Sequence, residues 1–234
     1  MEELRPNGQR AKNAILLIWI VLAINVVSLV SNLLQYNLLH TVGNGGFITP
    51  DEANANDSTQ QIIAIIFLIV YIISAVTFIQ WFRRAYYNLH LKVDHYLSHN
   101  EGWAAGGWFV PIVCLYRPIQ IMRELYDDTA LYLSGKGIKT DKNLTNKALT
   151  PWWTLWIVSS TMGQFIYRYD AVATSIDELI NSTIANIIMD IIGIPLALIT
   201  IKIIKDYSQV EPLLIESKED EEEPQPAELL VESN

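Results

Sequence analysis

Four apolar runs constrain what this chain can fold into. They occupy residues 14–39, 60–82, 150–169 and 184–204 of a 234-residue sequence. About 20 apolar residues cross the hydrocarbon core of a bilayer, so each run is long enough for one transmembrane helix. A fifth apolar stretch, 103–116, is shorter and is interrupted by two glycines and a proline. The pattern predicts an all-α integral membrane protein.

Basic residues predict how these spans are oriented, because lysine and arginine concentrate in cytoplasmic loops. Of the 16 lysines and arginines, all but Arg168 lie before residue 13, between 83 and 147, or after 201. They share one side of the membrane only if the interrupted segment 103–116 does not cross it. We therefore predict four transmembrane helices, both termini in the cytoplasm, and a cytoplasmic-side unit of helix, re-entrant or interfacial segment, and helix. Five transmembrane helices, with an external C-terminus, is the alternative.

Three regions are expected along the chain. Residues 1–13 form a short cytoplasmic leader, 14–209 the membrane domain, and 210–234 a disordered acidic tail. The tail accounts for much of the net charge of −9, since residues 216–223 read ESKEDEEE. With a single cysteine, Cys114, the chain cannot form an intrachain disulfide.

Polar side chains inside the apolar runs mark a candidate intramembrane site. Asp190 is the one acid well inside a run, and in the four-span topology Asn32, Gln35 and Gln164 lie at a similar depth. Ionisable side chains within a span are costly and are commonly functional. Two interpretations stay open: amides or Arg168 stabilise a structural carboxylate, or Asp190 carries a proton or cation.

Five tryptophans are expected at the bilayer edges, where amphipathic aromatic rings accumulate. Trp81 ends the run 60–82, and Trp152 and Trp153 begin the run 150–169. Trp103 and Trp108 lie in the interrupted segment. We interpret all five as interfacial anchors.

A set of polar and charged side chains flanks the interrupted segment. Arg84 and Asn88 share one face of the helix that precedes it, and Arg117 and Glu124 lie on the helix that follows. The planar guanidinium group suits a bidentate pair with a carboxylate, so the two helices are expected to meet there. Together with Arg123, this cluster predicts either a packed lid on the bundle or a pocket for an anionic headgroup.

Short motifs in the centre of the chain are specific enough to indicate a family. They are R-A-Y-Y-N-L at 84–89, G-W-A-A-G-G-W-F-V-P-I at 102–112, L-Y-R-P at 115–118, R-E at 123–124, and a tryptophan-rich stretch at 151–156. With these motifs, residues 60–205 resemble a bacterial membrane-protein family known as domain of unknown function 4328. The resemblance implies a multi-span domain in a bacterial cell membrane and brings no catalytic residues. The chain departs from the family at Cys114, where asparagine is usual, and at Tyr116, where tryptophan is common.

The sequence features favour three classes of function in a definite order. Expected first is a non-enzymatic membrane protein, a scaffold whose cytoplasmic face binds lipid headgroups or a protein partner. The alternative is a small transporter or channel that uses Asp190 and the arginine cluster. A lipid-acting enzyme ranks last, because the sequence has no nucleophile elbow, no H-E-x-x-H motif and no aspartate pair within a helix.

The sequence gives little support for binding of a metal or of a nucleic acid. His95 and His99 are four residues apart beside Asp94, but a third convincing ligand is missing, so neither a metal nor a cofactor is predicted. The basic residues lie at a predicted membrane surface opposite an acidic tail, so nucleic-acid binding is not expected.

Overall fold

The fold is a bundle of helices. The structure, a computed structural model, describes residues 4–93, 97–138 and 144–222. Its helices are α1 (Gly8–Gly43), α2 (Pro50–Val93), α3 (Trp103–Gly106), α4 (Arg117–Gly135), α5 (Leu149–Asp170) and α6 (Ile176–Glu222), with short 3-10 turns at Val113–Leu115 and Asn146–Ala148. The residues that the structure describes contain no β-strand. The prediction of an all-α protein is confirmed.

In the described part of the chain, three helices are long and apolar enough to cross a membrane: α1, α2 and the Ile176–Leu214 portion of α6. At about 1.5 Å per residue each is far longer than a hydrocarbon core of about 30 Å. Only 11% of the most apolar 18-residue stretch of α2 is buried within the protein. Its isoleucines, such as Ile62 and Ile69, point outward as expected for lipid contact. The chain is therefore a membrane-associated protein.

Capping boxes begin α2 and α6 at the same end of the bundle. Thr49 Oγ1 accepts a hydrogen bond from the Glu52 backbone N–H (3.2 Å), while Glu52 Oε2 accepts one from the Thr49 N–H (2.8 Å). Ser175 and Glu178 repeat this arrangement before α6. Each box satisfies backbone donors that a helix start leaves unpaired. We call this end the far end, and the opposite end, where α1 begins and α2 and α6 finish, the basic end.

The helices are arranged in the spatial order α2, α1, α6, α5. Helix α1 packs between α2 and α6, and α5 packs on the other side of α6. The short helix α4 contacts α2, α5 and α6. The largest fully buried side chains gather where α4 closes the basic end, among them Trp81, Tyr86, Tyr126, Trp152 and Tyr207. The protein therefore packs most densely at the basic end.

The interrupted segment leaves the basic end and returns to it. A Cβ placed on Gly107 would lie 3.1 Å from Arg117 Cγ, and Arg117 Cζ lies 5.3 Å from the centre of the Trp103 ring. The two ends of the segment are therefore neighbours. Helix α5 holds the returning stretch of chain through a hydrogen bond from Trp153 Nε1 to the Leu115 carbonyl oxygen (3.0 Å).

Helix and domain boundaries differ from the expected regions at both ends of the chain. Helix α6 continues past residue 210 to Glu222, because its apolar stripe continues and places Val210 and Leu214 in the core. Asn7 and Ala11, which belong to the expected leader, are also buried. The expected disorder of 223–234 concerns residues outside those that the structure describes.

Candidate functional site

Three arginines converge at the basic end. Arg5 precedes α1, Arg10 lies in the first turn of α1, and Arg84 lies near the end of α2. The Cζ atoms of Arg5 and Arg84 are 5.0 and 5.7 Å from the centre of the Tyr87 ring. Arg10 Nη1 donates a hydrogen bond to the Gln80 carbonyl oxygen (3.4 Å). We call Arg5, Arg10 and Arg84 the arginine triad.

The triad carries positive charge that neighbouring acids only partly offset. Repulsion from Arg10 and Arg5 acts against the charge of Arg84, while Glu211 attracts it. The ion pairs found within the described residues involve other side chains. An anion placed among the three guanidinium groups would relieve their mutual repulsion.

Glu211 is the centre of a buried network beside the triad. It is 4% exposed and accepts hydrogen bonds from Asn88 Nδ2 (2.8 Å) and from Asn7 Nδ2 (3.1 and 3.2 Å to its two oxygens). Asn88 also donates to the Arg5 carbonyl oxygen (2.9 Å) and accepts from the Arg5 backbone N–H (3.1 Å). We call Asn7, Asn88 and Glu211 the Glu211 network. It ties the start of α1 to α2 and α6 and fixes the backbone of Arg5.

Burial makes Glu211 titrate near neutral pH. In the predicted topology only the run 184–204 of α6 crosses the bilayer, and Glu211 lies seven positions beyond that run, past the charged side chain of Lys205. Burial raises the pKa of Glu211 to about 7, although the amides of Asn88 and Asn7 and the charge of Arg84 oppose that rise. A carboxyl group deprived of water favours its neutral form.

A second polar cluster joins α2 to α4 on the opposite face of α2. The Tyr86 hydroxyl donates to Glu124 Oε2 (2.6 Å), and the Ser98 backbone N–H donates to Glu124 Oε1 (3.2 Å). Arg117 Nη1 lies 2.9 Å from the ring nitrogens of His99. Arg117 thus contacts a histidine, and the partners of Glu124 are a phenol and a backbone amide.

The structure divides the cluster that was expected from Arg84, Asn88, Arg117, Arg123 and Glu124. Arg84 and Asn88 face the start of α1, whereas Tyr86, two residues along α2, faces α4. At about 100° per residue, side chains two positions apart point to nearly opposite sides of a helix. The two helices are therefore joined through Tyr86 and Glu124, while Arg84 and Asn88 lie on the other face of α2. Arg123 is exposed on α4.

The α4 side of α2 is too acidic to favour an anion. Burial, followed by the negative charges of Glu124 and Asp127, raises the pKa of Asp128. Three carboxyl groups therefore lie close together on α4, on the helix that also carries Arg117. Of the two arginine-containing clusters, the arginine triad has the more positive surroundings.

Asp190 has polar partners on α1. It is 7% exposed, and its Oδ2 accepts hydrogen bonds from Asn32 Nδ2 (2.8 Å) and from the Ser28 hydroxyl (3.1 Å). Asn25 Nδ2 donates to the Asp190 carbonyl oxygen (2.7 Å). Gly193 makes room for that amide, since a Cβ there would lie 2.7 Å from Asn25 Nδ2. These contacts join α1 to α6.

The other two members of the expected intramembrane site lie apart from Asp190. Gln35 Nε2 donates to the Thr183 hydroxyl (3.1 Å) nearer the far end. Gln164 lies with Arg168 in a groove between α5 and the interrupted segment. The structure thus brings together Asn32 and Asp190 and separates them from Gln35 and Gln164.

Two of the five expected tryptophan anchors are buried inside the protein. Trp81 is 0% and Trp152 is 2% exposed, because aromatic rings of α2 and α6 enclose them. Because these two rings are enclosed by protein, they are not available to contact lipid headgroups. Trp103 is exposed, and Trp108 and Trp153 are half-buried. Trp108 links the interrupted segment to the bundle through edge contacts with the rings of Phe78, Phe82, Trp153 and Trp156.

Within the described ranges, no three histidine, cysteine, aspartate or glutamate side chains are grouped so that they could hold a metal ion. The histidine pair noted in the sequence includes His95, which lies outside those ranges together with Asp94.

Several site residues escaped the sequence interpretation. Arg5, Asn7 and Arg10 were placed in a leader, and Glu211 in the tail. The spacing of Ile204, Tyr207, Glu211 and Leu214 by three or four positions continues the buried face of α6 and was the available signal.

Fold and polar networks together define an all-helical, membrane-associated protein. Residues 44–209, more than half of the chain, match the family model described as domain of unknown function (DUF4328). The chain belongs to this family, as its central motifs predicted. No match was found among curated proteins or among solved structures.

Proposed function

We propose that this protein is a non-enzymatic, four-span protein of the bacterial cell membrane that binds anionic phospholipid at its basic end. The arginine triad is the observation that carries this proposal. Three arginines meet where α1 begins and α2 ends, and the ion pairs of the described residues leave them unpaired. A scaffold role follows, in which bound headgroups and the basic end organise lipid around the bundle.

The chemistry of the triad suits a lipid phosphate. Arginine presents a planar set of donors that matches phosphate oxygens, and it is less strongly hydrated than lysine. The Tyr87 ring lies beneath Arg5 and Arg84 and limits their freedom before binding. Each direct contact between an arginine of the triad and a lipid phosphate is expected to add about 1 kcal/mol to the preference for anionic lipid.

The four-span topology rests on three supports. The neighbouring ends of the interrupted segment are easier to reconcile with a return to one membrane face than with a crossing. Helix α5 has 22 residues, about 33 Å, which matches the hydrocarbon core. The basic residues of α1, α2, α4 and α6 then share the cytoplasmic side, and so do both termini.

A transporter or channel is the weaker candidate. Its expected centre, Asp190, accepts hydrogen bonds from Ser28 and Asn32. A carboxylate with two donors on a neighbouring helix has a structural explanation and does not require a bound ion.

Lipid selectivity tests the proposed function. Full-length protein in nanodiscs of equal phosphatidylcholine and phosphatidylglycerol is released into a mass spectrometer, and the retained lipids are counted. Wild type should retain phosphatidylglycerol preferentially. The double variant Arg5→Gln/Arg10→Gln should lose about 2 kcal/mol of that preference, roughly 30-fold.

Arg123→Gln is the matched control, since this exposed arginine of α4 lies outside the triad. It should retain the wild-type selectivity. Equal loss in Arg123→Gln and in the double variant would indicate a general effect of charge and would contradict a built site.

Topology has a separate test. After Cys114 is replaced by serine, single cysteines are introduced at Phe47 and Lys136. An impermeant thiol reagent added to intact cells should label Phe47→Cys and spare Lys136→Cys. Labelling of Lys136→Cys from outside would overturn the four-span topology and favour five spans.

A further inference from the structure

A groove of about 410 Å³ lies between α5 and the interrupted segment. One wall is formed by the tip of the segment, including Ile112 and Leu115, and the other by α5 from Trp156 to Arg168. We call it the α5 groove. Its volume is within the range of about 300–1,000 Å³ that is typical of small-molecule sites. It is distant from the arginine triad, which lies beside α1 and α2.

The two halves of the groove differ in polarity. Trp156 and Leu115 line the half nearer the basic end, and Gln164 and Arg168 line the half nearer the far end. The twelve positions from Trp156 to Arg168 extend about 18 Å along the helix. The groove is thus apolar at depth and cationic where α5 reaches the far end.

The polar half requires a covering group if α5 crosses the bilayer. Gln164 and Arg168 are both exposed on the surface of the protein, and Arg168 is in none of the ion pairs found among the described residues. Uncompensated amide and guanidinium groups at membrane depth are costly. In the proposed topology, Arg168 is also the one basic residue on the side of the membrane opposite the others.

The dimensions favour an acyl chain over a helix of a partner. A helix about 10 Å wide and 18 Å long occupies on the order of 1,400 Å³, which exceeds all the open space of the groove, about 910 Å³. An acyl chain is a single file of methylene groups and requires much less. The backbone of Ile112, with a φ of 67°, sets this wall in a conformation that is uncommon for a β-branched residue and is found at ligand clamps.

We propose that the α5 groove binds an anionic phospholipid of the far-end leaflet, with its phosphate at Arg168 and one acyl chain between Ile112 and Trp156. Gln164 donates to the glycerol or ester oxygens. The site requires α5 to cross the bilayer, as in the proposed topology, but it does not depend on the arginine triad.

Cys114, the single cysteine of the chain, lines this groove and reports its occupancy. The full-length protein in neutral detergent is mixed with increasing phosphatidylglycerol, and the rate of modification by N-ethylmaleimide is measured. The rate should fall about tenfold when roughly nine-tenths of the sites are occupied, since only free protein reacts. Phosphatidylcholine should protect less.

Substitutions identify the headgroup contact. Arg168→Gln should weaken protection by phosphatidylglycerol about fivefold, while Arg168→Lys should retain most of it. In Arg5→Gln/Arg10→Gln, which alters the triad, phosphatidylglycerol should protect Cys114 as it does in wild type. Protection that is equal for both lipids, or unchanged in Arg168→Gln, would overturn the proposal.

Quenching by phospholipids with brominated acyl chains gives a second readout that does not depend on cysteine chemistry. Brominated phosphatidylglycerol should quench tryptophan fluorescence more than brominated phosphatidylcholine, and Trp156→Phe should remove most of the difference. Absence of any difference in wild type would also overturn the proposal. If brominated lipids show no such difference while the arginine triad still selects phosphatidylglycerol in nanodiscs, lipid binding at the α5 groove is rejected and the proposed function is not.

Discussion

Replacing Asn88 by aspartate should weaken the attachment of the start of α1 to α2 and α6 and so destabilise the protein. Asn88 is 1% exposed, and its Nδ2 donates to Glu211 Oε1 (2.8 Å) and to the Arg5 carbonyl oxygen (2.9 Å). Aspartate has the same shape and can still accept from the Arg5 N–H. It loses both donated hydrogen bonds and brings a second carboxyl group against Glu211.

The magnitude follows from these contacts. A buried hydrogen bond to a neutral acceptor is worth about 1 kcal/mol and one to a carboxylate about 2 kcal/mol, and two facing carboxyl groups add repulsion. We expect Asn88→Asp to lower the free energy of unfolding by about 3–5 kcal/mol, with the larger loss at higher pH. The measurement is reversible unfolding in mild detergent titrated with SDS and followed by tryptophan fluorescence.

Adding Glu211→Gln supplies the control. In the double variant Asn88→Asp/Glu211→Gln, the glutamine amide can donate to the carboxylate introduced at position 88, and one negative charge is removed. The double variant should therefore recover at least half of the stability lost in Asn88→Asp. A loss below about 1 kcal/mol in the single variant, or no recovery in the double, would refute the assigned network.

Three further predictions concern other contacts. Folding raises the pKa of the Glu211 carboxyl from 4.5 to about 7, so the folded protein holds this proton more tightly than the unfolded chain does. The stabilisation is complete below pH 4.5 and is lost as pH rises through 7. The free energy of unfolding of wild type should therefore fall by about 3 kcal/mol across that window, and that of Glu211→Gln should change little. Gly193→Ala should cost about 2 kcal/mol in SDS unfolding by displacing Asn25, whereas Gly163→Ala, whose Cβ would make an ordinary 3.5 Å contact, should cost little. Trp108→Ala should cost about 2 kcal/mol, less than for a fully buried tryptophan, by removing a half-buried ring that contacts four others, and its thermal unfolding midpoint should fall accordingly.

The membrane helices could be read from the sequence because lipid imposes a simple requirement. A run of about 20 apolar residues satisfies its backbone internally and needs no particular partner. Runs 14–39, 60–82 and 184–204 accordingly lie within α1, α2 and α6. The run 150–169 coincides with α5, which is not among the three described helices apolar enough to cross a membrane, so a fourth span stays a prediction.

Side-chain partners across helices could not be read in the same way. Arg84 and Asn88 were correctly placed on one helix face, but periodicity alone does not say which neighbour that face meets. The residue that contacts α4 is Tyr86, whose hydroxyl donates a hydrogen bond to Glu124 from the face of α2 opposite Arg84 and Asn88. Contacts between residues distant in sequence depend on helix rotation and crossing, which a single sequence leaves open.

Composition misled the interpretation at the chain ends. The acidic residues after 215 favour disorder, and this tendency was extended back to 210. Yet Val210 and Leu214 continue the buried stripe of α6, and Glu211 is retained in it by two amides. A charged residue on an apolar stripe indicates a buried network as readily as the end of a helix.

The most direct test of lipid binding at the basic end is an experimental structure in nanodiscs that contain phosphatidylglycerol. The account predicts phosphate density within hydrogen-bonding distance of at least two guanidinium groups of Arg5, Arg10 and Arg84. A structure in which these arginines pair with carboxylates, with ordered lipid only elsewhere, would contradict it.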